Sequence, residues 1–156
     1  MIFLANHVMR DHVIMGGAAA LAAIPWFGWR GSLLFWLANI LIDMDHYLHF
    51  AYARRGKSLG VKEMFLFHQA LFDQVRRPDF LALEVFHTVE FMALLGWLSF
   101  GVWPSLQPVF WGMAFHIGVD FVHLAKLGVF TKRCNSCVEY VLRRNAMIRR
   151  GLSPDW

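Results

Sequence analysis

The sequence predicts an all-α, polytopic membrane protein with four transmembrane helices and additional amphipathic helices at the membrane interface. Three observations support this fold class: the composition, four long apolar segments and the distribution of positive charge. Hydrophobic residues make up 58% of the 156 residues, whereas soluble domains average about 45–50%. This length suits one domain, so we expect residues 1–156 to form a single membrane-embedded helical domain.

The four apolar segments are each close to the ~20 residues that cross a bilayer as a helix. They cover residues 12–29, 32–50, 83–103 and 108–129. Gly16 and Gly17 lie in the first segment, and small residues let a neighbouring helix approach closely. Several tryptophans lie toward segment ends, as interfacial anchors do: Trp26, Trp29, Trp36, Trp103 and Trp111.

The connections between the segments predict their orientation. Arg30 is the one charge between the first two segments, and the third and fourth are joined without any charge. By contrast, the 51–82 loop and residues 132–150, which are predicted as a basic C-terminal helix, are rich in Arg and Lys. Positive charge marks the cytoplasmic side, so we expect a multi-pass protein of the inner cell membrane with both termini and the 51–82 loop in the cytoplasm. The basic residues lack interleaved aromatic residues, which argues against nucleic-acid binding.

Two stretches outside the four segments have an amphipathic, basic character. Residues 61–75 and 138–148 are predicted as helices that lie on anionic lipid headgroups. A solvated helix packed on the loop fits these patterns equally well. Cys134 and Cys137 form a single C-x-x-C pair, and a structural zinc site needs four ligands. We interpret the two cysteines as reduced, with no assigned role.

Acidic and histidine side chains interrupt the apolar segments at one predicted membrane level. Asp43-Met44-Asp45-His46 closes the second segment, and each ionisable group in lipid costs about 2.5–3.5 kcal/mol on insertion scales. Asp and His are ligands of divalent metals. The predicted orientation brings the following candidates together: His7, Asp11, Asp43, Asp45, His46, Glu84, His87, Glu90, His116, Asp120 and His123. No Lys or Arg is expected at this level, so we expect a divalent cation, with zinc as the expected metal, to hold these groups together.

Spacing supports ligation, because residues three or four apart share a helix face. The relation links these pairs: His7 with Asp11, Asp43 with His46, Glu84 with His87, His87 with Glu90, His116 with Asp120, and Asp120 with His123. Asp43 and Asp45 are two apart, so either the helix loosens there or Asp45 faces a second metal or a ligating histidine. The number of candidates favours two ions, or one ion with many hydrogen-bonding partners around its ligands.

Other polar residues are given structural interpretations. We interpret His12 and His49 as interface residues at helix ends, and His68 and Asp73 as solvated side chains of the 61–75 helix. Glu84 caps the third helix or binds the metal, and His123 is an end-of-helix residue or a ligand.

The polar motifs resemble those of the predicted membrane-bound metal-dependent hydrolases of the YdjM-like family. The matching residues, in order along most of the chain, are His7, Asp43-Met44-Asp45-His46, Phe86-His87-Thr88, and the stretch from Gly112 through His116 to Asp120. Ile42 stands where the family has Pro, and the His-Arg-Gly that often precedes the third motif is missing.

The resemblance implies a metal-dependent hydrolase with one or two divalent ions. The expected ligands are His46, His87, His116 and Asp120, with Asp43 bridging or completing the set and His7 from the first motif. Asp45 or Glu90 is expected to act as general base or to orient a ligand, and Asp11, Glu84 and His123 are further candidate ligands or their partners. A site at this depth suits a phospholipid or another lipid-linked phosphoester, and four arginines are candidates to hold its anionic group: Arg54, Arg55, Arg76 and Arg77.

Two functions of other classes stay open. The acidic and imidazole groups would also suit a metal- or proton-conducting membrane protein, although the outer halves of the segments offer little polarity to complete a path. A third alternative is a structural membrane protein in which a metal clamps the helices.

Overall fold

The computed structural model describes residues 3–154, with side chains from residue 9 onward. The predicted ligand His7 therefore lies outside the described side chains. Helices make up 75% of the structure, which confirms the predicted helical class. The chain divides into two compact units. The first unit comprises Met1–Ile42 and Phe91–Lys126, and the second comprises Asp43–Glu90 and Leu127–Trp156.

The first unit contains three long helices: α1 (Phe3–Ala22), α2 (Ile24–Leu41) and α6 (Gln107–Lys126). It also holds most of α5 (Val89–Trp97), which continues as a π-helical turn over Leu98–Val102. The predicted first span, 12–29, is wrong in its bounds. Pro25 lies in the first turn of α2, and a proline there suits the start of a new helix because it lacks a backbone N–H. Gly28 then takes a non-helical conformation with φ 66° inside α2.

Glycines allow the helices of the first unit to approach closely. A Cβ at Gly112 of α6 would lie 2.2 Å from the carbonyl oxygen of Phe35 in α2. A Cβ at Gly16 of α1 would lie 2.2 Å from the side-chain nitrogen of Asn39, also in α2. The close approach predicted at Gly16 is confirmed.

The second unit combines three helices with a small parallel sheet. The helices are α3 (Met44–Ala53), α4 (Val61–Phe72) and α7 (Cys137–Arg149). Strand β1 (Ala82–Leu83) pairs with β2 (Arg133–Cys134), so that Ala82 lies opposite Arg133. The two predicted amphipathic stretches are therefore helical in α4 and α7, although the C-terminal helix begins at Cys137 rather than near residue 132.

Two further predicted spans differ from the structure. The 32–50 span is interrupted at Ile42 and Asp43, between α2 and α3. The 83–103 span begins as strand β1 and a 3-10 turn over Val85–His87, and regular helix starts only at Val89. Both departures from helical geometry fall at the polar motifs, and they place Asp43, Glu84 and His87 outside regular α-helix.

Within the part of the chain described, one helix is long and apolar enough to cross a bilayer. It covers Pro104–Lys126, with 23 residues and a mean hydropathy of 1.2. This segment overlaps the fourth predicted span, 108–129. The apolar stretch Val89–Val102 is shorter.

Candidate metal-binding clusters

The second unit gathers acidic and imidazole groups around His87. We call this group the second-unit cluster: Asp43, Asp45, His46, Glu84 and His87. The His87 side chain is fully buried, and its Nδ1 lies 3.1 Å from Oδ2 of Asp45. A carboxylate only accepts, so Nδ1–H donates and the Nε2 lone pair is left for another partner. Nε2 lies 3.7 Å from Oδ1 of Asp43. Metal-binding histidines are commonly oriented by such a carboxylate.

Asp45 lies in the first turn of α3 and is 7% exposed. Its Oδ2 accepts hydrogen bonds from His87 Nδ1 and from the backbone N–H of Phe86, at 3.2 Å for the latter. Its Oδ1 is buried and has no hydrogen-bond partner among the described residues. Burying a carboxylate oxygen without a partner is costly, so this oxygen fits a site completed by a cation. The two contacts of Oδ2 are those of a residue that orients His87.

The break between α2 and α3 brings Asp43 toward His46. Asp43 precedes the first residue of α3, and its Oδ1 lies 3.5 Å from His46 Nε2. Glu84 Oε1 lies 3.8 Å from the same nitrogen. Metal bonds near 2.1 Å place ligand atoms of a tetrahedral site about 3.4 Å apart. The separations in this cluster are therefore close to those of atoms that share one ion. A looser helix at Asp43, one of the two predicted alternatives, is confirmed.

His68 of α4 packs against this cluster rather than lying in solvent. Its Nε2–H donates to the backbone carbonyl of His46 at 2.7 Å, and the two rings are 4.7 Å apart. Burial, together with the neighbouring His46, lowers the pKa of His68 to about 4. The interpretation of His68 as a solvated residue is wrong. The ring of His49 packs edge-on against Phe67 and His68, and its position at the membrane interface stays a prediction.

Arg133 supplies a positive charge that sequence reasoning excluded from the acidic level. The residue is 6% exposed, and its Nη1 donates to Oε2 of Glu84 at 2.9 Å. The short parallel pairing of β1 with β2 brings the two residues together, although they are 49 positions apart. The expectation of a cluster without Lys or Arg is wrong, because the arginine comes from the C-terminal part of the chain.

The first unit contributes its own candidate ligands, which we call the first-unit cluster: His12, His116 and Asp120. His12 Nε2 lies 3.0 Å from Asp120 Oδ1, and His116 Nε2 lies 3.7 Å from Asp120 Oδ2. His116 Nδ1–H donates to the carbonyl oxygen of Asn39 at 2.6 Å, which leaves its Nε2 lone pair directed to other partners. The rings of His12 and His116 stack with 3.8 Å between centroids.

Sequence reasoning missed two residues of this neighbourhood, His12 and Asn39. His12 is 3% exposed, and its Nδ1 has no hydrogen-bond partner within the described part of the chain. Asn39 is fully buried and donates from its side chain to the carbonyl of His12. The available signal was the four-residue spacing of His12, Gly16 and Ala20, which form the buried face of α1. The interpretation of His12 as a helix-end interface residue is wrong.

Asp11 and His123 also meet, at the edge of the first-unit cluster. His123 Nε2 lies 3.5 Å from Asp11 Oδ2, and its ring contacts the His12 ring edge-on at 6.0 Å. Oδ1 of Asp11 also lies 3.4 Å from Nη2 of Arg10. Asp11 and His123 are therefore placed as neighbours of His12 in the first unit.

Glu90 has a different environment from the one predicted. It is exposed, and its carboxylate accepts hydrogen bonds from Ser136 Oγ and from the backbone N–H of Cys137, at the start of α7. Carboxylates stabilise helix N-termini. The predicted helical pairing of Glu90 with His87 does not form, because His87 belongs to a 3-10 turn that ends before α5.

The four predicted substrate-binding arginines occupy different environments. Arg54 and Arg55 line an exposed cavity of about 520 Å³ with Lys57, Ser58 and Glu63. Arg77 forms two hydrogen bonds with the carboxylate of Asp79, at 3.0 and 2.6 Å, and Arg76 donates to the carbonyl of Leu127. Arg54 and Arg55 thus present their charge at a cavity, whereas Arg77 is already paired with an acid.

No family model, curated protein or solved structure matches the chain. The resemblance to the YdjM-like family therefore rests on the motif residues alone. Buried His and Asp groups that could hold a metal ion are present in the structure, and the convergence of all predicted ligands on one site stays a prediction.

Proposed function

We propose that the protein is a membrane-bound, metal-dependent hydrolase of an amphiphilic phosphoester or another lipid-linked substrate. The observation that carries the proposal is the buried Asp45–His87 pair, in which the carboxylate fixes the tautomer of His87 and leaves its Nε2 beside Asp43. This arrangement is expected of a metal-binding histidine and its orienting partner.

The donor sets fit a divalent ion. In the second-unit cluster, Asp43, His46 and His87 offer two nitrogens and one carboxylate, and the buried Asp45 Oδ1 has no hydrogen-bond partner among the described residues. In the first-unit cluster, His116 and Asp120 would act as ligands, and His12 joins them. Nitrogen and oxygen donors of this kind favour zinc.

When bound by these residues, a divalent ion would supply Lewis-acid chemistry, which activates a water molecule and polarises the scissile bond. The chain's own residues supply orientation: Asp45 fixes the ring of His87, and the Asn39 carbonyl fixes the ring of His116. Arg54 and Arg55 would receive the anionic group of the substrate, since guanidinium groups bind phosphate in a bidentate manner.

Exposed apolar side chains support attachment to a membrane. In the Pro104–Lys126 helix, 22% of the most apolar window is buried, whereas the core helix of a soluble protein is mostly buried. Other apolar side chains of the first unit are also well exposed, including Leu21, Trp26 and Trp29 at 66–78%. These side chains would face lipid if α1 and α2 also lie in the bilayer, as the four-span topology expects.

The first-unit cluster also bears on the alternative of proton conduction. Asp11, His123, His12, Asp120 and His116 form a succession of acidic and imidazole groups. However, the Nδ1–H of His116 donates to the Asn39 carbonyl, and a carbonyl cannot pass a proton onward. Because the succession ends at the Asn39 carbonyl, the contact favours a role in orienting the His116 ring over a role in proton conduction.

Metal analysis combined with a hydrolase assay tests the proposal. The full chain, purified in detergent, should contain zinc or another divalent metal and should hydrolyse a phosphoester such as bis(p-nitrophenyl) phosphate or phosphatidic acid. His87→Ala should lose both metal and activity, whereas His49→Ala, a histidine packed against Phe67, should retain both. Protein without metal or phosphoesterase activity would contradict the proposal, and ion flux in proteoliposomes would favour the conducting alternative.

A further inference from the structure

Glu84 lies at the second-unit cluster with one carboxylate oxygen toward each histidine. Its Oε1 is 3.8 Å from His46 Nε2, and its Oε2 is 3.8 Å from His87 Nδ1. The residue directly follows strand β1 and precedes the 3-10 turn that carries His87. Glu84 precedes this turn with extended backbone (φ −112°, ψ 105°), but its side chain makes no capping hydrogen bond, so the helix cap that the sequence offered as one alternative does not form. Its side chain is 19% exposed, and its Oε1 faces His46 within the second-unit cluster.

Arg133 holds the other side of this carboxylate. Its guanidinium donates to Oε2 at 2.9 Å, which leaves Oε1 directed toward His46. The arginine is fixed by the backbone pairing of β2 with β1, in which it lies opposite Ala82. An arginine that is 6% exposed and engaged with Glu84 is poorly placed to receive a substrate from solvent. Its position suits a role in orienting the Glu84 carboxylate.

We propose that Glu84 is a further ligand of the ion bound by the second-unit cluster, and that Arg133 is the positioning residue that orients Glu84. This inference rests on the proposed metal dependence. The expected donor set then comprises Asp43 Oδ1, His46 Nε2, His87 Nε2 and Glu84 Oε1. The two separations from His46 Nε2, 3.5 Å to Asp43 and 3.8 Å to Glu84, are near the ~3.4 Å edge of a tetrahedral zinc site.

The charges of the second-unit cluster favour a divalent cation. Three carboxylates, those of Asp43, Asp45 and Glu84, face the histidines, and Arg133 contributes one positive charge. With neutral histidines these four second-unit groups leave a negative charge that attracts a cation. The arginine therefore limits the excess negative charge while it leaves enough to attract the ion.

Zinc affinity of the full chain tests the assignment without any substrate. Protein in detergent, stripped of metal with a chelator, would be titrated with Zn²⁺ against a chromophoric chelator, and Co²⁺ absorption would report the coordination geometry. Glu84→Gln should lower the affinity by more than about 100-fold and alter the Co²⁺ spectrum, since it removes a ligand. Arg133→Met should lower the affinity about 10–100-fold, as loss of a residue that orients a ligand does, and Arg133→Lys should recover part of it.

The double variant separates positioning from a purely structural role. If Arg133 acts through Glu84, the Glu84→Gln, Arg133→Met protein should bind Zn²⁺ no more weakly than Glu84→Gln alone. The double variant also removes both members of the buried pair, which proteins tolerate better than the loss of one. Arg77→Met, which breaks an exposed Arg–Asp pair in the same unit, is the matched control and should bind Zn²⁺ like the wild type.

Three outcomes would overturn the assignment. Wild-type affinity in Glu84→Gln would exclude Glu84 as a ligand. Independent, additive losses in the double variant would exclude the positioning role of Arg133. Absence of Zn²⁺ binding by the wild-type protein would overturn the proposed function itself, and this inference with it.

Discussion

Asn39 joins the two histidines of the first-unit cluster. Its side-chain amide donates to the backbone carbonyl of His12 at 2.9 Å, and its own backbone carbonyl accepts from Nδ1 of His116 at 2.6 Å. Asn39 thus links α2 to α1 and also orients the His116 ring of α6. Gly16 provides the space that the Asn39 side chain needs, because any larger residue would place a Cβ against the amide.

Gly16→Ala should therefore destabilise the protein. The added methyl group would lie 2.2 Å from the Asn39 side-chain nitrogen, so that either the amide or α1 must move. Overpacking of this kind costs about 1–3 kcal/mol. Thermal unfolding in detergent would measure the loss of stability.

Gly17→Ala is the matched control, one residue along the same helix. Its nearest neighbour would be Trp36 Nε1 at 3.5 Å, an ordinary contact. Alanine is favoured over glycine in a helix by about 0.8–1.0 kcal/mol, so this variant should be neutral or more stable. Equal destabilisation of both variants would show that Asn39 does not restrict position 16.

Asp45→Asn should weaken metal binding while it preserves the shape of the site. The substituted amide would keep an acceptor for His87 Nδ1–H but would lose the negative charge that makes the imidazole a better ligand. Loss of such an orienting carboxylate typically costs about 10–100-fold in metal affinity. Asp79→Asn, which removes a carboxylate paired with Arg77 in the same unit, should leave metal content unchanged. Equilibrium dialysis followed by elemental analysis would distinguish the two variants, and equal metal content would contradict the role of Asp45.

The sequence is informative where one physical signal dominates. The fourth predicted span, 108–129, closely matches α6, whose one proline, Pro108, lies in its first turn and does not break the helix. The loosened backbone at Asp43 was also among the predicted alternatives, since two carboxylates two residues apart cannot share a regular helix face. By contrast, the start of the third span at residue 83 was wrong, because an apolar run alone does not distinguish a short strand and a 3-10 turn from a helix.

Contacts between distant segments could not be predicted in the same way. Arg133 reaches Glu84 through a two-residue strand pairing, which is too short to leave a periodic pattern. The predicted bounds of the first span put His12 at a helix end, whereas α1 extends further toward the N-terminus and places His12 on the buried face of Gly16 and Ala20. Both misses concern tertiary placement rather than the choice of residue type.

The two cysteines should differ in reactivity. Cys134 is fully buried, and burial raises the pKa of its thiol, so less of it is thiolate at a given pH. Because the thiolate is the nucleophile, iodoacetamide at about pH 7–8 should modify the partly exposed Cys137 and spare Cys134. Peptide mass spectrometry would locate the label, and denatured protein should react at both positions. Rapid labelling of Cys134 in the folded protein would show that the β2 strand opens.

Arg133→Met should destabilise the metal-free protein more than the double change of Arg133→Met with Glu84→Gln. The single variant leaves the Glu84 carboxylate, 19% exposed, without the guanidinium that now binds it at 2.9 Å, and breaking a buried pair on one side costs about 3–5 kcal/mol. Neutralising both partners removes the uncompensated charge, so the double variant should recover part of the loss. Chemical unfolding of chelator-treated protein would measure both changes. Equal stability of the two variants would indicate that water, rather than Arg133, compensates Glu84 in the folded state.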